Sequence, residues 1–212
     1  LDAAAATLAS SSSSTSNPIR TFAGDVTNEN DVRALFDSTD EPCDLLVNCA
    51  GAATGGATAE VSAETVGHYD RSAAGFWEGT RDHDVSQNLD ALLRHLGEGG
   101  PHRILDFGCG PGRDLMALQA RGHLPTGLEG SAEFVRMARA HAGCEVLHQD
   151  FLALDLPARA FDGVFANATL FHVPSQALPG VLQALRASLR PGGVLFSSNP
   201  RGPDVEGWNG DR

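Results

Sequence analysis

From residue 103 to residue 199, short apolar runs alternate with stretches of helical periodicity, and that alternation leaves few folds open. RILDF (103–107), PTGLEG (125–130), CEVLHQD (144–150), FDGVFANA (161–168) and VLFSSN (194–199) have the length of buried strands. RDLMALQARG (113–122) reads as a helix closed by Gly122, and SAEFVRMARAHAG (131–143) as one with Ser131 at its N-cap. SQALPGVLQALRASL (175–189) is a helix stopped by Pro191, Gly192 and Gly193. Ahead of the first strand, DHDVSQNLDALLRHLG (82–97) sets Val85, Leu89, Leu92, Leu93 and Leu96 on one helical face. The implied class is α/β, a doubly wound and mostly parallel sheet with helices on both faces. Such sheets bind ligands beyond the carboxyl ends of their strands, so the residues that follow each strand are the ones to weigh.

The first of these turns is the most informative. In ILDFGCGPGRDL (104–115), Gly108, Gly110 and Gly112 let backbone bend tightly and lie against a ligand. A pyrophosphate is one candidate, since helix N-termini attract anions. Asp106 stands at the mouth of the loop, however, and suits a ligand with a cationic centre better; the spacing is also GxGxG rather than GxGxxG. The next strand ends on Glu129, 23 residues after Asp106, where an acid can accept both hydroxyls of a ribose. After the third strand come Asp150 and Phe151, an acceptor and an apolar face for a purine. A nucleoside carrying positive charge, S-adenosylmethionine, satisfies all three.

Here the chain resembles the class I SAM-dependent methyltransferases, over roughly residues 66–207. ILDFGCGPG looks like that family's first motif, TGLEGSAEFVRMAR its second, and HQDFLALDLPARAFDGVFANATLFHV its third and fourth; RPGGVLFSSNP leads into the fifth strand. The resemblance implies a Rossmann-like sheet and S-adenosylmethionine as cofactor. By the same resemblance Asp106, Gly108, Gly110 and Gly112 surround the methionine part, Glu129 the ribose, and Asp150 with Phe151 the adenine. Asn167 and Ala168 lie beside the transferred methyl group. HYDRSAAGFWEGTRDH (68–83) is similar to the cap that closes over cofactor and substrate in small-molecule members. Tyr69 and Arg81 are its candidates for the cofactor, Arg81 through a carboxylate that suits its planar fork, and Trp77 and His83 those for the substrate. His172, just past the fourth strand, is the candidate base where the acceptor carries a proton.

Composition narrows the partners. The formal net charge is −12, and every basic residue is Arg, so mechanisms needing a Lys (Schiff base, Walker loop, Tyr–Lys dehydrogenase pair) are excluded. An acidic chain without a basic run argues against nucleic acid and anionic lipid, and no apolar stretch reaches membrane-spanning length. Cys43, Cys49, Cys109 and Cys144 form no CxxC pair and read as reduced thiols of a cytoplasmic protein. Cys144 and His148 share a strand face without a third ligand, so no metal is expected. The expected partner is a small-molecule acceptor.

The N-terminal part reads differently. LDAAAATLAS has neither the basic leader nor the apolar core of a signal peptide, and a chain that opens on Leu leads one to expect a preceding segment. AGDVTNENDVRALFD and DLLVNCAGAA resemble a central stretch of the short-chain dehydrogenases, with Asp25 and Asn48 as fold markers. Their Gly-rich loop and catalytic Tyr and Lys are absent, so residues 1–55 are expected to be a partial fragment without hydride transfer. Residues 56–66 read as a small, polar, Gly-rich linker, and 67–212 as the SAM-binding domain. That domain is expected to be C-terminally incomplete, with its fifth strand an exposed edge. The competing readings are an inactive remnant with at most ligand binding and a nicotinamide-dependent oxidoreductase.

Overall fold

The structure is a computed structural model that describes residues 58–174 and 176–199. Five parallel strands, β1 (Arg103–Phe107), β2 (Leu124–Glu129), β3 (Val146–His148), β4 (Phe161–Asn167) and β5 (Leu189–Ser198), form one sheet in the order β3-β2-β1-β4-β5. Among the described residues five α-helices accompany them: α1 (Thr58–Thr80), α2 (Ser86–Leu96), α3 (Arg113–Ala120), α4 (Ala132–Ala142) and α5 (Leu178–Ser188). This is the parallel sheet read from the alternation, in the Rossmann-like form that the resemblance implies. The strand order reverses direction beside β1, which places a crevice at the carboxyl ends of β1 and its neighbours.

Both faces of the sheet are covered, which is why its strands are apolar almost throughout. The side chains of one face, Leu105, Phe107, Val164, Ala166 and Leu195, meet Val181 and Leu185 of α5. Those between them, Ile104, Phe165, Val194 and Phe196, meet Leu89 and Leu92 of α2. Adjacent residues go to opposite clusters, as the two-residue period of a strand requires. A third cluster joins Leu115 of α3 to Val135 and Ala138 of α4 beside Cys109 and Val146. Ser131 caps α4 as expected, its hydroxyl accepting from the Phe134 amide at 3.2 Å, and Gly143 ends the helix in the left-handed region.

Two segments depart from the sequence reading. The stretch taken as linker through residue 66 is already helix from Thr58 onward, continuous with the cap. Small polar composition suggested a loop, yet its Ala and Glu residues are good helix formers, and Val66 packs against Gly130. The last helix is not stopped by Pro191: it ends at Ser188, and Leu189 already pairs with Phe161 of β4. The ladder then slips, Gly163 pairing with Val194, so Arg190–Gly193 bulge opposite Asp162, and Arg190 bonds that carboxylate at 2.7 Å. Within the described residues β5 pairs on one side only, with β4.

Candidate functional site

The carboxyl ends of β1, β2 and β4 open into one cavity, roofed by α1. The roof is a helical stripe: Ser62, Val66, Tyr69, Phe76 and Thr80 all face it, at spacings that stay on one side of an α-helix. Tyr69 and Phe76 pack edge-on at 5.6 Å, and both lie against Phe134 of α4. Phe76, at 37% exposed, is the large apolar side chain that the cavity leaves most open.

The three glycines of the first turn do different work. All have positive φ. A Cβ on Gly108 would collide with the Thr169 side chain, and one on Gly112 would come within 2.9 Å of the Ala138 backbone. Those two are glycine because protein packs there. At Gly110 a Cβ would meet nothing nearer than the Phe76 ring at 4.0 Å, so its missing side chain opens onto the cavity. Gly112, expected near the ligand, does not line the cavity and faces α4 instead.

The two acids expected at neighbouring strand tips come to the same turn. Glu129, 8% exposed, accepts from the amides of Gly130 (2.8 Å), Ser131 (2.9 Å) and Gly110 (3.0 Å). Burial raises its carboxyl above the usual range, the three amides pull it back, and the Asp70 charge raises it further. Asp106 lies beneath the turn rather than in the cavity wall, 2% exposed, and its Oδ2 has no hydrogen-bond partner. Burial, with the charges of Asp114 and Glu129, holds its carboxyl well above the ordinary value against the pull of Arg113. A buried carboxyl oxygen without a partner beneath a bare turn is what a cationic ligand would satisfy and a phosphate would not.

Asp150 and Phe151 also line the cavity. Both oxygens of Asp150 lie within reach of the Ser62 hydroxyl, at 3.0 and 3.1 Å, and Oδ1 accepts from the Leu152 amide as well. The Phe151 ring packs on Phe107 at 4.5 Å, so it serves the core as well as the cavity. Asn167 and Ala168 border the cavity too, but the Asn167 side chain is committed: its oxygen accepts from Asn88 (2.9 Å) and Ser198 (2.6 Å), its nitrogen donates to Asp114 (3.3 Å). His172 sits in a 3₁₀ turn with Nε2 3.0 Å from the Tyr69 hydroxyl. Burial pushes its imidazole down to about 4, so it is neutral at pH 7.

Among the cap candidates, Tyr69 and Trp77 line the cavity, and Trp77 also stacks on His141 at 4.3 Å. Arg81 and His83 do not. α1 ends at Thr80, and both residues border a separate open groove, where Arg81 pairs with Asp82 at 3.3 Å. The arginine of the main cavity is Arg113, which sequence reasoning missed. It bonds Asp114 through Nε (2.7 Å) and Nη2 (3.0 Å) and the Thr80 carbonyl through Nη1 (3.1 Å), tying the end of α1 to the glycine turn. Among the described residues no group of three His, Cys, Asp or Glu is placed to hold a metal, and no helix is long and apolar enough to cross a membrane.

Comparison with known proteins agrees with the fold. Residues 104–193 match the family described as a methyltransferase domain. A ubiquinone biosynthesis O-methyltransferase of Alkalilimnicola ehrlichii is 31% identical over 150 residues, 65% of this chain and 60% of that protein. A trans-aconitate 2-methyltransferase of Azoarcus sp. is 38% identical over 104 residues, 48% of this chain and 40% of that one. The chain thus spans about half the length of the curated relatives it matches. Among solved structures, the DhpI–SAH complex superposes with a TM-score of 0.53 at 26% identity, covering 64% of this chain and 68% of that one. A SAM-dependent methyltransferase of Leishmania major, at 20% identity and a TM-score of 0.56 over 64% and 60% of the two chains, shares the fold. The short-chain-dehydrogenase reading of residues 1–55 gains no support from the family match, which begins at residue 104. Its markers Asp25 and Asn48 lie outside the described residues.

Proposed function

We propose that this chain, with a methyltransferase domain matched over residues 104–193, transfers a methyl group from S-adenosylmethionine to a small-molecule acceptor. One observation carries the reading: a buried carboxyl of Asp106 without a partner at Oδ2 lies under a turn that only Gly110 leaves bare, with the Glu129 carboxylate at the adjacent strand tip. Bound there, S-adenosylmethionine brings a methyl group on positively charged sulfur, a donor that needs no further activation. The protein's part is then to hold, align and dry the site. Glu129 takes the ribose hydroxyls, Asp150 and Phe151 the adenine, and the backbone at Gly110 lies along the methionine part, with Asp106 beneath the turn, where a cationic ligand favours the ionised carboxyl that burial disfavours.

The roof made by Tyr69, Phe76 and Phe134 excludes water and offers an apolar wall to the acceptor. Where the acceptor carries a proton, His172 is the candidate base: burial weakens its imidazole as a base but keeps it unprotonated, and a proton given to Tyr69 Oη is matched by one passed from Tyr69 to Nε2. The small-acceptor assignment rests on the acidic charge, the cavity roofed by α1, and relatives named for ubiquinone biosynthesis and trans-aconitate. A cytoplasmic setting fits Cys109 and Cys144, which are free thiols.

Calorimetric titration with S-adenosylmethionine tests the reading. The chain should bind, and Glu129→Ala should bind at least about tenfold more weakly, as expected for loss of a charge-assisted hydrogen bond. A panel of small amines, acids and thiols should then reveal turnover. Activity confined to protein or RNA would overturn the small-acceptor assignment, binding without any turnover would leave a ligand-binding domain, and binding of NADH alone would sink the proposal.

A further inference from the structure

Asp70, on α1, has no part in the chemistry above, yet its contacts reach the centre of the site. Its Oδ1 accepts from the Ser131 hydroxyl at 2.5 Å and from the Glu133 amide at 3.2 Å. Ser131 is fully buried and already caps α4 by accepting from the Phe134 amide. A hydroxyl has one proton to give, and Asp70 takes it, which fixes the rotamer of Ser131. The amide of that same residue donates to Glu129 Oε1 at 2.9 Å, and Glu129 Oε2 accepts from Gly110. A chain of hydrogen bonds therefore runs from α1 through Ser131 to Glu129 and into the glycine turn.

Capping α4 accounts for only part of this arrangement: Ser131 takes the Phe134 amide and Asp70 the Glu133 amide, but neither bond requires Asp70 to take the Ser131 hydroxyl proton as well. The second acceptor comes from a residue 61 positions earlier in the chain and brings a carboxylate towards another carboxylate. That like-charge approach costs stability, and such local conflicts gather at functional sites. We propose that Asp70 is a positioning residue for the cofactor: acting through Ser131, it couples the docking of α1 to the orientation of the Glu129 carboxylate that receives the ribose. This inference rests on the methyltransferase reading above.

A double-mutant cycle read by calorimetric affinity for S-adenosylhomocysteine tests it. Wild-type protein that does not bind this ligand defeats the methyltransferase reading itself, whatever Asp70 does. With wild type binding, Asp70→Ala should lose about tenfold in affinity, while Asp70→Asn, which keeps an acceptor oxygen, should lose less than about threefold. Glu129→Gln should also weaken binding. Adding Asp70→Ala to it should change affinity by no more than about twofold, because both act on one contact. Additive losses, wild-type affinity for Asp70→Ala, or an Asp70→Asn loss equal to that of Asp70→Ala would each overturn the inference. If Asp70→Ala does not fold, Ser131→Ala takes its place in the cycle: its effect must vanish in the Glu129→Gln background, and an effect that persists there overturns the inference.

Discussion

The glycine turn shows how much a single residue type conceals. Gly108, Gly110 and Gly112 look alike in sequence, and all three have positive φ; Gly108 and Gly110 both border the cavity, but only at Gly110 would a side chain enter open space. Gly108→Ala should therefore act on stability: left-handed backbone and a clash with Thr169 together cost about 3 kcal/mol. Gly110→Ala should cost only about 1 kcal/mol of stability, yet lower affinity for S-adenosylmethionine at least about tenfold by filling the bare surface. Urea melts and calorimetry on the two variants separate these effects, and a Gly110→Ala protein with wild-type affinity would show that the ligand lies elsewhere. His172 makes a second residue-scale prediction. Burial lowers its imidazole from 6.5 to about 4, so between these values the unfolded chain binds more protons than the native one. Its contribution is intact above pH 6.5 and is lost as pH falls towards 4, by about 3 kcal/mol in all. Asp106 and Glu129, both raised, act in the opposite sense, so the difference between wild type and His172→Gln is the quantity to follow. Urea midpoints at pH 7 and pH 4.5 should converge towards the variant's at the lower pH, and parallel curves would contradict the burial of the imidazole.

At the scale of elements, what could be read from sequence was what is locally determined. Each strand is a short apolar run ended by its own turn residues, and Ser131 and Gly143 punctuate α4 within a few positions of where they act. The placing of Glu129 and Asp150 on the cavity was legible for the same reason, since each closes or follows a strand in a sheet whose ligand end is fixed by topology, whereas Asp106, inside β1, lies beneath the turn and not in the wall. What escaped depends on contacts between distant parts of the chain. The break between α5 and β5 is set by Leu189 pairing with Phe161 rather than by the Pro-Gly-Gly beyond it. Arg81 was chosen for its charge, but α1 ends one residue earlier, and Arg113 holds that end instead. Ser62 was missed because the first turns of α1 passed for linker, and Asp70, inside the cap, because its partners Ser131 and Glu133 lie far along the chain. The signal was present: residues 62, 66, 69, 73, 76 and 80 repeat at helical spacing, and all of them face inward.

For the molecule as a whole, the unusual element is α1. Among its described side chains only Ala73 is buried, and Tyr69, Phe76 and Trp77 pack on Phe134 and His141 while partly open, so other contacts must help to hold it in place. Polar contacts do so, one on the segment following each of four strands: Thr80 to Arg113 after β1, Asp70 to Ser131 after β2, Ser62 to Asp150 after β3, and Tyr69 to His172 after β4. Elements with few buried contacts open at low free energy, well before global unfolding. Because the roof and the ligand share the same strand-end segments, opening α1 must break the contacts that hold the ligand. Ligand at about a hundred times its dissociation constant then adds ~2.7 kcal/mol to that opening, slowing exchange up to about hundredfold. α5 lines no part of the cavity, and local openings there leave the ligand bound. Hydrogen exchange with and without S-adenosylhomocysteine should therefore show α1 amides slowing strongly while the locally exchanging amides of α5 keep their rates. Equal rates in α1 in both states would mean that the helix lifts without disturbing the ligand, and that the bonds to the four strand-end segments do not close the site.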